Sequence, residues 1–350
     1  MLLLTVALLF SRGCPLSASA VLPREADPAS ILLTELVACA ETVDMRNVSL
    51  PVSELGGVYL NLLHSHPELF HVAMRLSYGY TETVVQGIPT ATVTEVYPAY
   101  LLVGDDLTAA RDFYRDTVSG ILTEMESAFG DHPRTEADTV LYLHDLLADR
   151  YAYDTRTEGA NSNAYSFFRD GKGICQAYAL AFLALCQGAG VEADLVVSDT
   201  MNHAWNHVRV EGVWYHVDIT RDDPIPAREG SEEVNHIRLL RSDGGMEALG
   251  YHGYSCASGH ICTDTRYETP DGGAVLQSFS APLSKWGDKW VGVGKDGGIA
   301  AAKVQSDGVY IGKVGDTDLN GIFDPADLLA LYDPALPEKW RERMRDALTG

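Results

Sequence analysis

Three residue types set far apart in the chain could together do nucleophilic chemistry: Cys175, a histidine at 203 or 207, and Asp218. Cys175 follows Gly171-Lys172-Gly173 and opens an alanine- and leucine-rich run, Ile174 to Gln187, closed by Gly188 and Gly190. That pattern predicts a helix with the cysteine in its first turn. Unpaired N–H groups and the helix dipole favour an anion there, which lowers a thiol's pKa and leaves more thiolate at neutral pH. A thiolate nucleophile also needs an imidazole to hold its charge and later protonate a leaving group, and a third group to orient that imidazole.

Strands must supply the other two. Val191 to Ser198 reads as one strand, and His203 to Val210 and Val213 to Ile219 read as a hairpin around Glu211-Gly212. A two-residue loop sets His207 opposite His216 and puts His203, His207 and Asp218 on one face. Both histidines are then diagonal neighbours of Asp218, so register alone leaves the base open. Upstream, residues 28 to 75 carry a helical pattern, clearest from Ser53 to Leu63. A β-rich stretch follows from Tyr78 to Val103, with a turn at Gly87 and Pro89. Apolar positions from Leu107 to Phe129 recur at helical spacing, with Asp105 or Asp106 as cap and Gly130 as stop. Thr135 and Asp138 form a capping-box pattern for a helix reaching about Tyr151.

Gly171-Lys172-Gly173-Ile174-Cys175-Gln176-Ala177-Tyr178-Ala179, then His203-Ala204-Trp205-Asn206, then Trp214-Tyr215-His216-Val217-Asp218-Ile219-Thr220 with Asp222-Asp223-Pro224, resembles the bacterial transglutaminase-like superfamily. The flanks His144-Asp145, Tyr153-Asp154 and Ala164-Tyr165-Ser166 fit as well. Residues 135 to 270 are covered well and 45 to 125 more loosely. The resemblance implies an α+β, papain-like fold, with the cysteine helix packed on an antiparallel sheet. It implies Cys175 as nucleophile, His203 as base and then acid, Asp218 as orienter, and no cofactor for catalysis. The reaction would be attack on a carboxamide or peptide carbonyl of a protein or peptide substrate. The thioester would be resolved by water in a peptidase or by an amine in a transglutaminase. The oxyanion hole would include the Cys175 N–H, with Gln176 or Tyr165 as second donor. Two positions depart from the pattern: Ala177 stands where glycine is common, and Arg221 where a tryptophan commonly precedes the Asp-Asp-Pro turn. A rival of another class is a catalytically idle adaptor that binds protein or glycan.

A second constellation lies at the C-terminus. Asp316, Asp318, Asn320, Gly321, Ile322, Asp324 and Asp327 fall on positions 1, 3, 5, 6, 7, 9 and 12 of an EF-hand-type loop. Calcium needs several oxygens around a tight turn, and Ile322 would offer its carbonyl. With Leu328-Leu329-Ala330-Leu331 following, the segment resembles a single type I dockerin repeat, whose implied partner is a cohesin-bearing scaffold. No second loop follows. Elsewhere, His64, His66 and His71 have no metal-ligand spacing, and the gap between Cys256 and Cys262 is wider than a zinc knuckle's, which argues against zinc held with His252 and His260.

Leu2 to Phe10 is apolar apart from Thr5 and leads to Ala18-Ser19-Ala20, which reads as an export signal too short to span a bilayer. The expected product is secreted, extracellular or held on a cell-surface scaffold. Removing Cys14 leaves Cys39, Cys175, Cys186, Cys256 and Cys262, an odd number with at least one free thiol. Cys256 and Cys262 are close enough in sequence for a small disulfide loop. The chain's 26 Lys+Arg against 49 Asp+Glu give a formal charge of -23, which argues against nucleic acid and anionic membrane surfaces as partners. The expected organisation is a signal at 1–20, an N-terminal α/β region at 21–134, a catalytic domain at 135–270, a small β appendage at 271–312 and a calcium-binding segment at 313–350.

Overall fold

The computed structural model describes residues 27–85, 88–156, 159–223, 234–279, 283–293, 299–305, 308–311, 319, 327 and 333–349, and mixes helices with mainly antiparallel sheets. Its N-terminal part builds a core of its own. Helix α1 (Pro28–Val37) is capped by Asp27, whose carboxylate accepts from the N–H groups of Ala29 and Ser30. Strand β1 (Val43–Asp44), helix α2 (Val52–Ser65) and the hairpin β2 (Val72–Val85) and β3 (Ile88–Tyr100) follow, with sheet order β1-β3-β2. Leu36, Val43, Leu55, Tyr59 and Val96 pack into one cluster between these helices and the sheet. The helical pattern expected up to residue 75 stops at Ser65. Pro67 has no N–H to donate and opens a 3-10 turn, Pro67–Leu69, after which the chain turns into β2.

Helix α3 (Gly104–Phe129) matches the expected span and ends at Gly130, whose φ is 57°. Its N-cap is Val103 and makes no side-chain cap bond. Asp105 and Asp106, expected to cap it, lie in the first turn instead, where they favour the positive end of the dipole. Helix α4 (Glu136–Arg150) starts with the expected capping box: Thr135 Oγ1 accepts from the Asp138 N–H at 3.0 Å, and the Asp138 carboxylate accepts from the Thr135 N–H at 3.1 Å. Strand β4 (Ala152–Tyr153), helix α5 (Ala164–Asp170) and strand β5 (Lys172–Gly173) lead into α6 (Cys175–Ala189).

Every residue of α6 from Ala177 to Cys186 is buried, as the alanine and leucine content requires of a central helix. Gly188 does not end it. A Cβ there would lie 2.6 Å from Leu122 of α3, so this glycine allows two helices to touch, and the stop is Gly190 at φ 78°.

The remaining elements are β6 (Ala193–Ser198), β7 (His203–Val210), β8 (Val213–Val217), α7 (Ile219–Asp222), β9 (Leu239–Arg241), α8 (Asp243–Ala248) and β10 (Ser255–Cys256). They form an antiparallel sheet in the order β10-β6-β7-β8-β9. The β7–β8 register sets His207 opposite His216, as a two-residue loop dictates, and Glu211 and Gly212 both take positive φ. Strand β8 stops at Val217, because Asp218 caps α7. Ala204 and Val208 share the core of α6, whereas Trp205 turns to the other face with Val196, Met246 and Tyr251.

A four-stranded meander, β11 (Ser284–Trp286), β12 (Lys289–Val293), β13 (Ile299–Gln305) and β14 (Gly308–Ile311), comes last before α9 (Glu338–Thr349). Trp290, Ala302 and Val304 of this meander belong to the same apolar cluster as α6. The Trp290 indole donates to Asp138 of α4 at 2.6 Å. Residues 1–20 lie outside the described residues, as do Asp316, Asp318, Asn320, Ile322 and Asp324; Asp327 is described and buried. Among the described residues no helix is long and apolar enough to cross a membrane. The five described cysteines are free thiols, Cys256 and Cys262 included.

Candidate active site

Cys175 is the first residue of α6, and the path to it depends on Gly173. A Cβ at that position would lie 2.5 Å from Ala177 Cβ and 2.8 Å from the Phe167 ring, so only glycine lets the chain pass this close before turning into the helix. Strand β7 is fastened to α6 by Asn206, whose Nδ2 donates to the Ala179 carbonyl at 3.0 Å. That bond sets His203, at the start of the strand, beside the N-terminus of the helix. Cys175, Gln176 and His203 line one cleft of about 410 Å³, and Leu60 and His64 of α2 and Met74 of β2 form part of its wall.

Asp218 is buried and has each of its oxygens used. Oδ1 accepts from the Arg221 N–H at 3.2 Å, the capping bond of α7. Oδ2 accepts from His203 Nε2–H at 2.6 Å and from the Tyr251 hydroxyl. The imidazole therefore uses Nε2 on the acid and leaves Nδ1 for another partner. Its ring also stacks on Trp205, with centroids 5.6 Å apart and an interplanar angle of 25°. Arg221, one of the departures noted in the sequence, lies 4.7 Å above the centroid of Tyr251.

The two histidines of the hairpin differ in their contacts. His203 reaches Asp218, whereas both ring nitrogens of His207 lack a hydrogen-bond partner among the described residues, and its ring meets His216 edge-on. Of the two residues expected to complete an oxyanion hole, Gln176 lines the cleft. Tyr165 is placed elsewhere: it stacks on Phe70 at 4.7 Å and meets Phe113 edge-on. Apolar packing of its ring holds it there.

The electrostatics suit a thiolate–imidazolium pair. Burial works against ionisation of Cys175, but attraction from the His203 ring, helped by the Ala204 and Gln176 backbone, brings the thiol below its ordinary range. Burial likewise penalises charge on His203, and Asp218 and Cys175 outweigh it, pushing the imidazole up to about 9. Asp218 is kept ionised against its own burial by His203 and Tyr251.

Tyr251, Trp205 and Asn206 are contributors that spacing arguments did not single out. The last two adjoin His203 in sequence, whereas Tyr251 carried no signal. A second buried network lies behind α7. His144 Nδ1–H donates to Asp145 at 2.8 Å, its Nε2–H faces Asp222 at 3.4 Å, and His236 donates to Asp145 at 2.8 Å. Burial disfavours charge on His144, but the two carboxylates push it up to about 9.

Residues 125–219 match the family described as the Transglutaminase-like superfamily. No curated protein matches the chain. Among solved structures it is similar to a candidate cysteine protease from Cytophaga hutchinsonii (15% identity, TM-score 0.25), covering 44% of this chain and 68% of that one. It is also similar to a protein named only as a TGase (13%, TM-score 0.28), covering 46% of this chain and 49% of that one. A candidate protease from Parabacteroides distasonis ATCC 8503 (10%, TM-score 0.23) matches 41% of this chain and 36% of its own length. A segment similar to the transglutaminase-like superfamily thus runs from the end of α3 to the start of α7 and carries Cys175, His203 and Asp218.

Proposed function

We propose that the chain is a thiol enzyme acting on amide bonds in proteins or peptides, with Cys175 as nucleophile, His203 as base and then acid, and Asp218 as the residue that holds the imidazole. The observation that carries this reading is the alignment of the three groups. A cysteine at a helix N-terminus shares a cleft with a histidine whose far nitrogen is held at 2.6 Å by a buried carboxylate. Cys175 attacks the carbonyl carbon, the C–N bond breaks, and the leaving amine takes its proton from the His203 imidazolium. The resulting thioester is resolved by water or by an amine, with His203 removing the proton from the attacking group. The N–H groups at the start of α6 stabilise the oxyanion, with Gln176 as the second donor in the cleft.

The proposal extends to the ends of the chain. Residues 1–20 direct export, and the loop from Asp316 to Asp327 binds calcium and attaches the enzyme to a cohesin-type partner; this extension rests on sequence.

The purified chain is to be incubated with a peptide library, with and without an added primary amine, alongside Cys175→Ala. Turnover and iodoacetamide labelling of Cys175 that vanish in Cys175→Ala support the reading; an active Cys175→Ala chain would sink it. Product mass separates hydrolysis from transfer.

A further inference from the structure

The sheet face that carries Trp205 holds a second cluster able to do chemistry. His207 and His216, paired across β7 and β8, meet Asp243 of α8 and Cys262 of the segment beyond β10, and one ligand atom from each of the four lies within 4.8 Å of the others. His207 is 1% exposed, and neither of its ring nitrogens has a hydrogen-bond partner among the described residues. A buried imidazole left this way costs free energy unless something not made of protein satisfies it.

The hydrogen bonds say which members are ligands. Trp205 Nε1–H donates to His216 Nδ1 at 2.9 Å, so His216 carries its proton on Nε2, which donates to Asp243 Oδ1 at 2.9 Å. Both nitrogens of His216 are thus committed, and its part is to orient the carboxylate. The Tyr254 hydroxyl donates to the same oxygen at 3.2 Å, and the Cys262 N–H donates to Asp243 Oδ2 at 2.9 Å. Metal-binding carboxylates are held in this way by neighbouring donors. His207, Asp243 and Cys262 remain as one nitrogen, one oxygen and one sulfur donor.

We propose that His207, Asp243 and Cys262 bind a divalent transition metal of the zinc class, with His216 positioning Asp243. A borderline-soft ion takes mixed imidazole, carboxylate and thiolate sets, whereas calcium and magnesium prefer oxygen alone. On binding, Cys262 gives up its thiol proton to solvent. Thiolate and carboxylate then balance the two positive charges, a neutral complex that suits this depth. The Asp243 side chain is 29% exposed, which leaves a path for the ion and for a water ligand. The metal would staple the region of α8 and β10 onto the strands that present His203 and Asp218. The ligands lie 36 and 19 residues apart, and no compact motif announces them. The grouping weighed from sequence shared only Cys262 with this one: His260 stacks on Trp214 at 3.8 Å, and His252 bonds the Gly250 carbonyl.

The test uses full-length Cys175→Ala protein, stripped with chelator and titrated with Co2+ and then Zn2+. About one equivalent of Co2+ should give a near-ultraviolet thiolate-to-metal band, which the oxygen-rich C-terminal loop cannot produce. Cys256→Ser should keep the band, while Cys262→Ser and His207→Ala lose it. Zn2+ should displace the cobalt and raise Tm by about 5 °C, a rise that Ca2+ does not reproduce. A buried water in place of the metal predicts no band at ten equivalents of Co2+ and a Tm indifferent to Zn2+; either result overturns the proposal. A band that survives in Cys262→Ser overturns it too. Should the ligand variants fail to fold, the cobalt band and zinc-dependent Tm of the Cys175→Ala parent decide.

Discussion

The Tyr251 hydroxyl and the His203 Nε2–H converge on the same oxygen of Asp218. Tyr251 also lies beneath the Arg221 guanidinium, so this arginine, at a departure from the family pattern, touches the acid directly through its backbone N–H and through an aromatic ring by its side chain. Tyr251→Phe keeps the ring and removes only the donor. Losing one hydrogen bond to a charged group corresponds to about 1.5–3 kcal/mol. Turnover should therefore fall about 10- to 100-fold with KM little changed. Unaltered turnover would show that Tyr251 serves packing alone.

The pH profile has a definite sign. In the proposed mechanism the active form pairs a thiolate with an imidazolium, so activity should rise as Cys175 loses its proton and fall as His203 loses its own, near pH 9. Steady-state rates between about pH 5 and 10.5 should give a bell with its basic limb near 9. A limb close to 6.5, the ordinary histidine value, would show that Asp218 and Cys175 do not hold the proton on the ring.

His144 makes a related prediction for stability. Its folded value, about 9, lies above the ordinary 6.5, so its contribution is complete below about 6.5 and is lost as pH rises through 9. His203 shares that sign. The urea midpoint should decline between pH 7 and 9.5. A midpoint that climbs across this window would contradict the charged His144–Asp145–Asp222 network.

Gly173→Ala tests the approach to the nucleophile. The added methyl would press on Ala177 Cβ at 2.5 Å and on Phe167 at 2.8 Å, neither of which can swing aside. Overpacking of this kind costs about 1–3 kcal/mol. Thermal melting should show the loss, and iodoacetamide labelling of Cys175 should slow as the helix start shifts.

Much of this was legible because local rules and tertiary packing agreed. Thr135 and Asp138 announced α4, and the turn residues Glu211 and Gly212 set the β7–β8 register, so the faces of His203, His207 and Asp218 followed from the sequence. The rule of two could not choose between the histidines, because side-chain period in a strand is blind to which end meets a helix; Asn206 and Ala179 decide that. Tyr251 and Tyr165 were illegible for the same reason in opposite senses. One arrives from 33 residues beyond Asp218, and the other, near the cysteine in sequence, is drawn away by Phe70 and Phe113. Gly188 misled as a stop because a glycine in a helix that permits packing against Leu122 looks the same in sequence as one that ends it.

The wall that α2 gives the cleft is a place to read selectivity. His64 is half-buried there, and burial lowers its affinity for a proton. His64→Ala should change KM across a peptide series while kcat for the best substrate moves less. Equal changes in both would place His64 in the chemistry instead.

Leu60, His64 and Met74 come from the part of the chain with its own apolar core, outside the segment that holds Cys175, His203 and Asp218. The cleft is therefore lined from two apolar cores, with Cys175 and His203 on one side and part of the wall on the other, and the two parts of the chain also touch where Phe70 stacks on Tyr165. Under the proposed function, exchange of the N-terminal stretch between related chains would change the cleft wall while Cys175, His203 and Asp218 stayed the same.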